Sequence, residues 1–145
     1  MAKQPRHPRT RRARLSAGDM ELTRRALEVR RNAHAPYSRF AVGAAVRCAD
    51  GTIFTGCNVE NASYGATVCA ERNAIAAAVA AGKRDFLALA VATGNAPPAA
   101  PCGLCRQVIS EFSPDLSLLL CNPRGDLIRT SLGRLLPLQF SRRDL

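Results

Sequence analysis

Two cysteine-bearing segments open predicted helices, and this placement constrains the fold more than any other feature of the sequence. Cys69 begins an alanine-rich helical stretch that ends at Gly82, and Cys102 and Cys105 begin a second helical stretch in the motif CGLC. A helix N-terminus lowers the pKa of a thiol and favours the thiolate that metal ions bind. Two helices that start at the same edge of a sheet would bring these thiolates together around one ion.

The CGLC motif alone leaves several interpretations open. A single pair of cysteines at this spacing occurs in redox-active dithiols, in half of a zinc ribbon, or by coincidence. Three thiolates suit Zn²⁺, and a site with only three protein ligands leaves a fourth position for water. No residue at metal spacing supplies a fourth ligand, because His7 and His34 lie in a basic tail and a turn. The cysteines inside strand-like runs are predicted to be small buried apolar residues: Cys48, Cys57 and Cys121.

Glu71 and Arg72 follow Cys69 directly on the predicted first helical turn. A glutamate there can simply interact favourably with the helix dipole, and an arginine can simply be a surface residue. Beside a zinc site, the carboxylate can take a proton from bound water and return it to a substrate. Three thiolates and Zn²⁺ sum to a net charge of −1, and a guanidinium that donates to sulfur would offset it. We therefore interpret Glu71 as a proton shuttle and Arg72 as a supporting residue.

The order of predicted elements favours an α/β fold. Hydrophobic periodicity predicts helices at residues 20–32, 69–82 and 102–112, and β-rich runs predict strands at 40–48, 52–59, 87–93, 116–121 and 127–130. The order α-β-β-α-β-α-β-β predicts a mixed five-stranded sheet with helices on both faces, a three-layer αβα sandwich.

Length and charge distribution predict one folded domain with a basic extension. A chain of 145 residues with 47% hydrophobic residues suits a single domain. Residues 1–18 hold six of the 21 basic residues and no acidic residue, so the formal charge of +10 falls to +4 for residues 19–145. We expect a disordered extension at 1–18 and one domain at 19–145. With no apolar signal segment and no long apolar run, we expect a cytoplasmic protein that does not enter membranes.

The motifs CAER and PCGLCRQ together resemble the zinc-dependent cytidine deaminases of the small-subunit type. The likeness runs from about residue 20 to the C-terminus and includes PYSRF, VGAAV, GCNVENASYG and LLP. It implies a hydrolase of pyrimidine salvage that converts cytidine and deoxycytidine to uridine and deoxyuridine, with release of ammonia. It also implies one Zn²⁺ per chain on Cys69, Cys102 and Cys105, with Glu71 as proton shuttle.

The resemblance further implies a set of substrate contacts. Phe40 would lie against the base, and Asn58 and Glu60 would bind the ribose 3′-hydroxyl. Other implied substrate-binding residues are Ala62 and Tyr64, which would reach a neighbouring subunit's ligand, Ala70, and Phe140, which would close over the base. Such shared sites imply a homotetramer acting on free nucleosides, with no specific nucleic acid partner. The sequence departs from the family at Leu138 and Gln139, where LLPLQF replaces a common Gly-Ala.

Three other functions share some of these sequence features. Deaminases of another small aminopyrimidine, such as blasticidin S, share CAE and PCGxCRQ but are not expected to keep the full run NVENASYG. Polynucleotide deaminases usually carry histidine in place of Cys69 and a helix between the last two strands, where this chain has only NPRGD. A structural zinc domain that binds nucleic acid through its basic tail predicts four protein ligands and leaves Asn58 and Glu60 unexplained.

Overall fold

The structure is a computed structural model that describes residues 15–145. Its elements follow the predicted order, with one short helix added before the C-terminus. They are α1 (Ala17–Val29), β1 (Gly43–Cys48), β2 (Ile53–Cys57), α2 (Ala70–Ala80), β3 (Phe86–Ala92), α3 (Gly103–Phe112), β4 (Ser117–Cys121), β5 (Leu127–Ser131) and α4 (Leu132–Leu135). No helix within residues 15–145 is both long and apolar enough to cross a membrane.

The strands form one mixed sheet in the order β2-β1-β3-β4-β5. Only β3 and β4 are parallel, and the other neighbours are antiparallel. A parallel pair needs a crossover connection, and α3 supplies it. β4 and β5 form an antiparallel hairpin whose turn is the predicted NPRGD segment.

Alternate residues of the central strands face opposite sides of the sheet, as the strand period of two requires. On one side, Ala45 of β1 and Ala90 of β3 pack with Leu22 of α1. On the other side, Val46 and Leu89 pack with α2 and α3, whose core residues include Ala74, Ile75 and Ile109. The sheet therefore lies between two helical layers, which confirms the predicted three-layer αβα sandwich.

The alanine-rich character of α2 is explained by its close approach to β2. Ala70, Ala74 and Ala78 are fully buried along one side of the helix. A Cβ atom placed on Gly56 of β2 would lie 2.4 Å from the backbone nitrogen of Ala74 and 2.7 Å from the carbonyl oxygen of Ala70. Because these neighbours are backbone atoms, only glycine fits there. The body of α2 thus serves packing, whereas its start carries the charged and thiol groups.

The N-terminal helix begins three residues earlier than the predicted residue 20. The Ser16 side chain accepts a hydrogen bond from the backbone nitrogen of Asp19 at 3.1 Å and caps α1 at Ala17. Leu15 packs against the core on the α1 side of the sheet. Residues 15–18, predicted to belong to the extension, contain the cap and the start of α1, although residues 16–18 are exposed. The rest of that prediction, residues 1–14, lies outside the described residues.

Two of the three cysteines predicted to be buried apolar residues are so. Cys48 and Cys121 are 2% and 4% exposed, whereas Cys57 is only half-buried. Cys57 is the last residue of β2, an edge strand of the sheet, and lies next to the segment that follows this strand. Its backbone carbonyl accepts a hydrogen bond from the Asn73 side chain of α2 at 2.8 Å, which ties the end of β2 to the first turns of that helix.

Candidate metal and substrate site

Three cysteine sulfurs meet where α2 and α3 begin. Cys69 and Cys102 are the N-cap residues of the two helices, and Cys105 lies on the first turn of α3. Their Sγ atoms all lie within 4.8 Å of one another, and those of Cys69 and Cys102 are 3.8 Å apart. Two sulfurs bound to one tetrahedral Zn²⁺ at about 2.3 Å each are about 3.8 Å apart. The donor set and its spacing therefore fit one zinc ion.

The topology explains why these helix starts coincide. Strands β2, β3 and β4 run in the same direction, because β2 and β3 are both antiparallel to β1 and β4 is parallel to β3. Along the chain, α2 follows β2 and α3 follows β3. Both helices therefore start at the edge of the sheet where β3 ends. No fourth His, Cys, Asp or Glu joins the three sulfurs within the described part of the chain. Three protein ligands leave a coordination position for water, as in catalytic zinc sites.

The thiols of the cluster share their protons unequally. The pKa of Cys69 is lowered to about 5 because the Cys105 thiol donates to its sulfur, with further help from Arg72 and Cys102, against the opposing effect of burial. The pKa of Cys105 is raised by its role as that donor and by burial. Of these two thiols, that of Cys69 more readily becomes a thiolate, the form that a metal ion binds.

Arg72 lies beside this sulfur on the first turns of α2. Its Nη2 donates to the backbone carbonyl of Thr67 at 3.1 Å and to Cys69 Sγ at 3.9 Å. Its Nε is buried and has no hydrogen-bond partner among residues 15–145. The guanidinium is therefore held by the segment before Cys69 and supplies positive charge directly to the thiolate cluster.

Glu71 is a buried carboxyl group next to the cluster, with 4% of the residue exposed. Burial raises its pKa and the charge on Cys69 adds to this effect, while its own backbone amide, Cys105 and Arg72 act in the opposite direction. A carboxyl group whose pKa is moved towards neutrality can both take up and return a proton. Its position and burial suit the predicted proton shuttle better than a plain interaction with the helix dipole.

A second group of side chains surrounds residues 37–42. Asn58 is buried, and its side chain accepts from the Val42 backbone nitrogen and donates to the Phe40 carbonyl, both at 2.8 Å. The Glu60 carboxylate accepts from the backbone nitrogens of Tyr37 at 2.8 Å and Ser38 at 3.2 Å. The Phe40 ring remains 37% exposed. Asn58, Glu60 and Phe40, which the sequence assigned to substrate binding, thus form one connected cluster.

A short backbone bridge joins this group to the sulfur cluster. Val59, between Asn58 and Glu60, exchanges two backbone hydrogen bonds with Val68, of 2.9 and 3.0 Å. Val68 directly precedes Cys69. The segment that contains Asn58 and Glu60 therefore lies next to Cys69, the first predicted metal ligand. This placement does not require a contact between Glu60 and the sulfurs.

The remaining predicted substrate residues are more scattered. Ala62 lies in an exposed loop and Tyr64 begins the short 3-10 helix Tyr64–Ala66 that follows it. Tyr64 is 77% exposed, and its ring makes an edge contact with that of Tyr37 at a centroid distance of 6.0 Å. The Ala70 side chain is fully buried in the core, so any contact it makes with substrate involves its backbone. Tyr64 is therefore linked to the cluster around Phe40 through Tyr37.

The C-terminal segment is attached to α3 in a way that the family resemblance did not predict. Gln139 donates to the Pro114 carbonyl at 2.7 Å, and Gln107 of α3 donates to the Phe140 carbonyl at 2.8 Å. The substitution of LQ for a common Gly-Ala is therefore accommodated by a side-chain anchor. The Phe140 ring is 61% exposed.

Sequence reasoning missed three residues that support the site. Ser38, inside PYSRF, contacts Glu60, and Arg30 donates from Nε to the Ala41 carbonyl at 2.9 Å. Arg106, inside PCGLCRQ, donates to the carbonyls of Pro101 and Leu135, both at 2.8 Å. Ser38 and Arg106 stood in quoted motifs, but nothing in a linear sequence shows which distant group such a side chain reaches.

Comparison with known proteins agrees with this geometry. Residues 17–119 match the family model described as cytidine and deoxycytidylate deaminase zinc-binding region. A curated cytidine deaminase of Sporosarcina psychrophila is 47% identical over 119 residues, which cover 81% of this chain and 88% of the relative. The crystal structure of cytidine deaminase from Burkholderia pseudomallei superposes with a TM-score of 0.81 at 51% identity, covering 83% of this chain and 98% of that chain.

A blasticidin-S deaminase of Bacillus cereus is also similar, at 32% identity over 109 residues, which cover 70% of this chain and 77% of the relative. The likeness to the cytidine deaminase of Sporosarcina psychrophila is therefore both stronger and longer.

Proposed function

The chain belongs to the cytidine and deoxycytidylate deaminase family, and we propose that it converts free cytidine and deoxycytidine to uridine and deoxyuridine by hydrolysis, releasing ammonia. The observation that carries this proposal is the group of three sulfurs within 4.8 Å of one another beside the buried carboxyl of Glu71. A structural zinc site would need a fourth protein ligand and would have no use for Glu71.

Cys69, Cys102 and Cys105 would hold one Zn²⁺, which when bound lowers the pKa of a water molecule in its open position. Glu71 would take up a proton from the attacking water as the water oxygen bonds to C4 of the cytosine ring, and would deliver that proton to N3. It would then pass the second proton of that water to the amino group, so that ammonia leaves as the C4–N bond breaks. Burial of Glu71 keeps bulk water from competing for these protons, and Arg72 offsets the negative charge of the thiolates.

Substrate recognition uses the cluster around residues 37–42. Phe40 offers a half-exposed ring to the base, and Asn58 and Glu60 would bind the ribose 3′-hydroxyl. The amide of Asn58 already makes one bond from its oxygen and one from its nitrogen. Each of these atoms can make one more, so Asn58 can hold the backbone and contact the sugar at the same time.

A free nucleoside, rather than a polynucleotide, is the substrate that best fits this chain. β4 and β5 are joined directly by a tight antiparallel turn, whereas polynucleotide deaminases usually have a helix between their last two strands. The first metal ligand is Cys69 rather than histidine. Both features favour the small nucleoside enzymes.

We further propose a homotetramer with shared sites, placed in pyrimidine salvage in the cytoplasm. The exposed aromatic rings of Tyr64 and Phe140 would contact a neighbouring subunit and its ligand. All six cysteines are free, as is usual in a reducing compartment such as the cytosol. Light scattering on the purified protein should give the mass of four chains.

The function is tested by ultraviolet absorbance of the zinc-loaded protein with a panel of substrates. Cytidine and deoxycytidine should be deaminated, whereas cytosine, blasticidin S and a single-stranded cytosine-containing oligonucleotide should not. Efficient turnover of the oligonucleotide, or of blasticidin S alone, would contradict the proposal. A zinc-loaded, folded protein with no turnover of any member would contradict enzymatic function on these substrates.

A further inference from the structure

The backbone before Phe40 adopts a demanding conformation. Arg39 has φ of 58°, in the left-handed region that residues with a side chain adopt only at a cost. Such a conformation persists only where the surrounding structure enforces it. On the C-terminal side of Arg39, this conformation is supported by Asn58, which binds the backbone on both sides of Ala41. Arg30 supports it as well, because it binds the Ala41 carbonyl.

On the N-terminal side of Arg39, the hydroxyl of Ser38 supports the same backbone conformation. Ser38 Oγ accepts a hydrogen bond from the Phe40 backbone nitrogen at 3.0 Å. It also lies in hydrogen-bond contact with Glu60 Oε1. The Phe40 nitrogen can only donate, so the single hydroxyl proton of Ser38 is free for the carboxylate. The result is a continuous relay from the Phe40 N–H through Ser38 to Glu60.

This relay is joined to the backbone by further hydrogen bonds, although its members are exposed or half-buried. The backbone nitrogens of Tyr37 and Ser38 both point at the same carboxylate. Glu60 is therefore held by three donors from two consecutive residues. Hydrogen bonds to a charged acceptor are stronger than those between neutral groups, so the carboxylate orientation depends on them.

We propose that Ser38 is a positioning residue that couples the sugar-binding carboxylate of Glu60 to the base-binding segment of Phe40. This inference rests on the proposed nucleoside deaminase function. Ser38 would set the rotamer of Glu60 and stabilise the left-handed turn at Arg39 through one hydroxyl. Sugar recognition and base recognition would then respond together to its loss, whereas the sulfur cluster and Glu71 would not.

The test compares Ser38→Ala with Ser38→Thr, which restores a hydroxyl, using cytidine and 3′-deoxycytidine as substrates. Ser38→Ala should raise KM for cytidine about tenfold, the loss typical of a hydrogen bond to a charged group, while kcat stays within about twofold. It should also reduce the preference for cytidine over 3′-deoxycytidine, because Glu60 is no longer aimed at the 3′-hydroxyl. Ser38→Thr should recover most of both effects.

A matched control is available in the turn between β1 and β2, at the end of these two strands that is opposite to Phe40 and Asn58. There Thr52 Oγ1 donates to Asp50 Oδ1 at 2.6 Å, another exposed bond from a hydroxyl to a carboxylate. Thr52→Ala should leave KM, kcat and the substrate preference unchanged. Combining Ser38→Ala with Glu60→Gln should cost much less than the sum of the two single changes, since both remove the same contact.

The inference is wrong if wild-type protein deaminates cytidine and Ser38→Ala keeps the wild-type KM and preference for the 3′-hydroxyl. It is also wrong if Ser38→Ala lowers zinc content or reduces turnover of both substrates equally, because the residue would then act only on the fold. Absence of cytidine turnover by zinc-loaded wild-type protein would instead overturn the proposed function itself.

Discussion

The sulfurs of Cys69 and Cys102 lie 3.8 Å apart although the two residues are separated by 33 positions in the chain. The spacing is set by two helices that start at one edge of the sheet. It matches the distance of about 3.8 Å between two ligands of one tetrahedral zinc ion.

Replacing Cys102 by alanine should abolish or greatly weaken zinc binding, because it removes one of only three protein ligands. Elemental analysis of the purified protein should give one zinc per chain for wild type and far less for Cys102→Ala. Cys57→Ala is the matched control, since this half-buried cysteine lies outside the sulfur cluster, and it should keep one zinc per chain. Active wild-type protein without zinc would contradict the prediction.

A phosphate on the 3′-hydroxyl should lower kcat/KM. If Glu60 accepts a hydrogen bond from that hydroxyl, a phosphate there places two negative charges close together. Even in a water-like medium, like charges about 4 Å apart cost about fivefold in binding, and partial exclusion of water increases the loss. The kcat/KM for cytidine 3′-phosphate should be at least about fivefold below that for cytidine, and Glu60→Gln should narrow the difference. Equal rates in wild type would refute this role of Glu60.

Gly56→Ala should destabilise the fold, because its Cβ would lie 2.4 Å from the Ala74 backbone nitrogen. Forcing β2 and α2 apart should cost about 2 kcal/mol or more in the free energy of unfolding, as overpacking does. Urea denaturation of the zinc-loaded proteins measures this difference. Gly65→Ala is the control, since nothing lies within 4 Å of a Cβ there. A Gly56→Ala variant as stable as the control would show that the two elements can separate freely.

Asp19 should contribute stability that depends on pH. Its carboxylate binds Arg47 at 3.1 Å and Arg129 at 2.9 Å, joining α1 to β1 and β5. Burial raises the pKa of Asp19, but the hydrogen bonds from Arg129 and Arg47 outweigh it and hold the pKa below its usual range. Because the folded state favours the charged form, the stabilisation is present above about pH 4 and is lost as the pH falls further.

Asp19→Asn should therefore lower the free energy of unfolding by about 1 to 2 kcal/mol at neutral pH. The difference from wild type should shrink in acid. Asp50→Asn, which removes an exposed pair with Lys83, should change stability much less. Denaturant titrations of the three proteins at pH 7 and pH 3.5 measure both effects, and a difference for Asp19→Asn that is constant across this range would contradict the assignment.

The sequence predicted the sheet, the order of its elements and the meeting of Cys69, Cys102 and Cys105. These features depend on periodic patterns and on residues that begin helices, and both are visible locally. The cap at Ser16 was missed because the first apolar residue of the helical pattern, Leu22, lies well inside α1. Cys57 was wrongly predicted to be buried, because a strand-like run does not show that its last residue lies at the end of an edge strand.

The support around Phe40 could not be predicted for a different reason. Ser38 and Glu60 are 22 positions apart, and Arg30 and Ala41 are 11 apart. Such contacts depend on how irregular backbone folds back, which no periodicity encodes. A left-handed residue at Arg39 is likewise invisible in sequence, because arginine has no preference for that conformation.

If Glu71 moves protons in a zinc-dependent deamination of cytidine, Glu71→Gln should lose turnover while it keeps its metal and its fold. The amide has nearly the same shape as the carboxyl group but cannot take up and return a proton. We predict one zinc per chain and similar stability for both proteins, with kcat for cytidine lower in Glu71→Gln by about 10² to 10⁴-fold. A zinc-loaded Glu71→Gln protein that retains more than about a tenth of the wild-type kcat would contradict the claim.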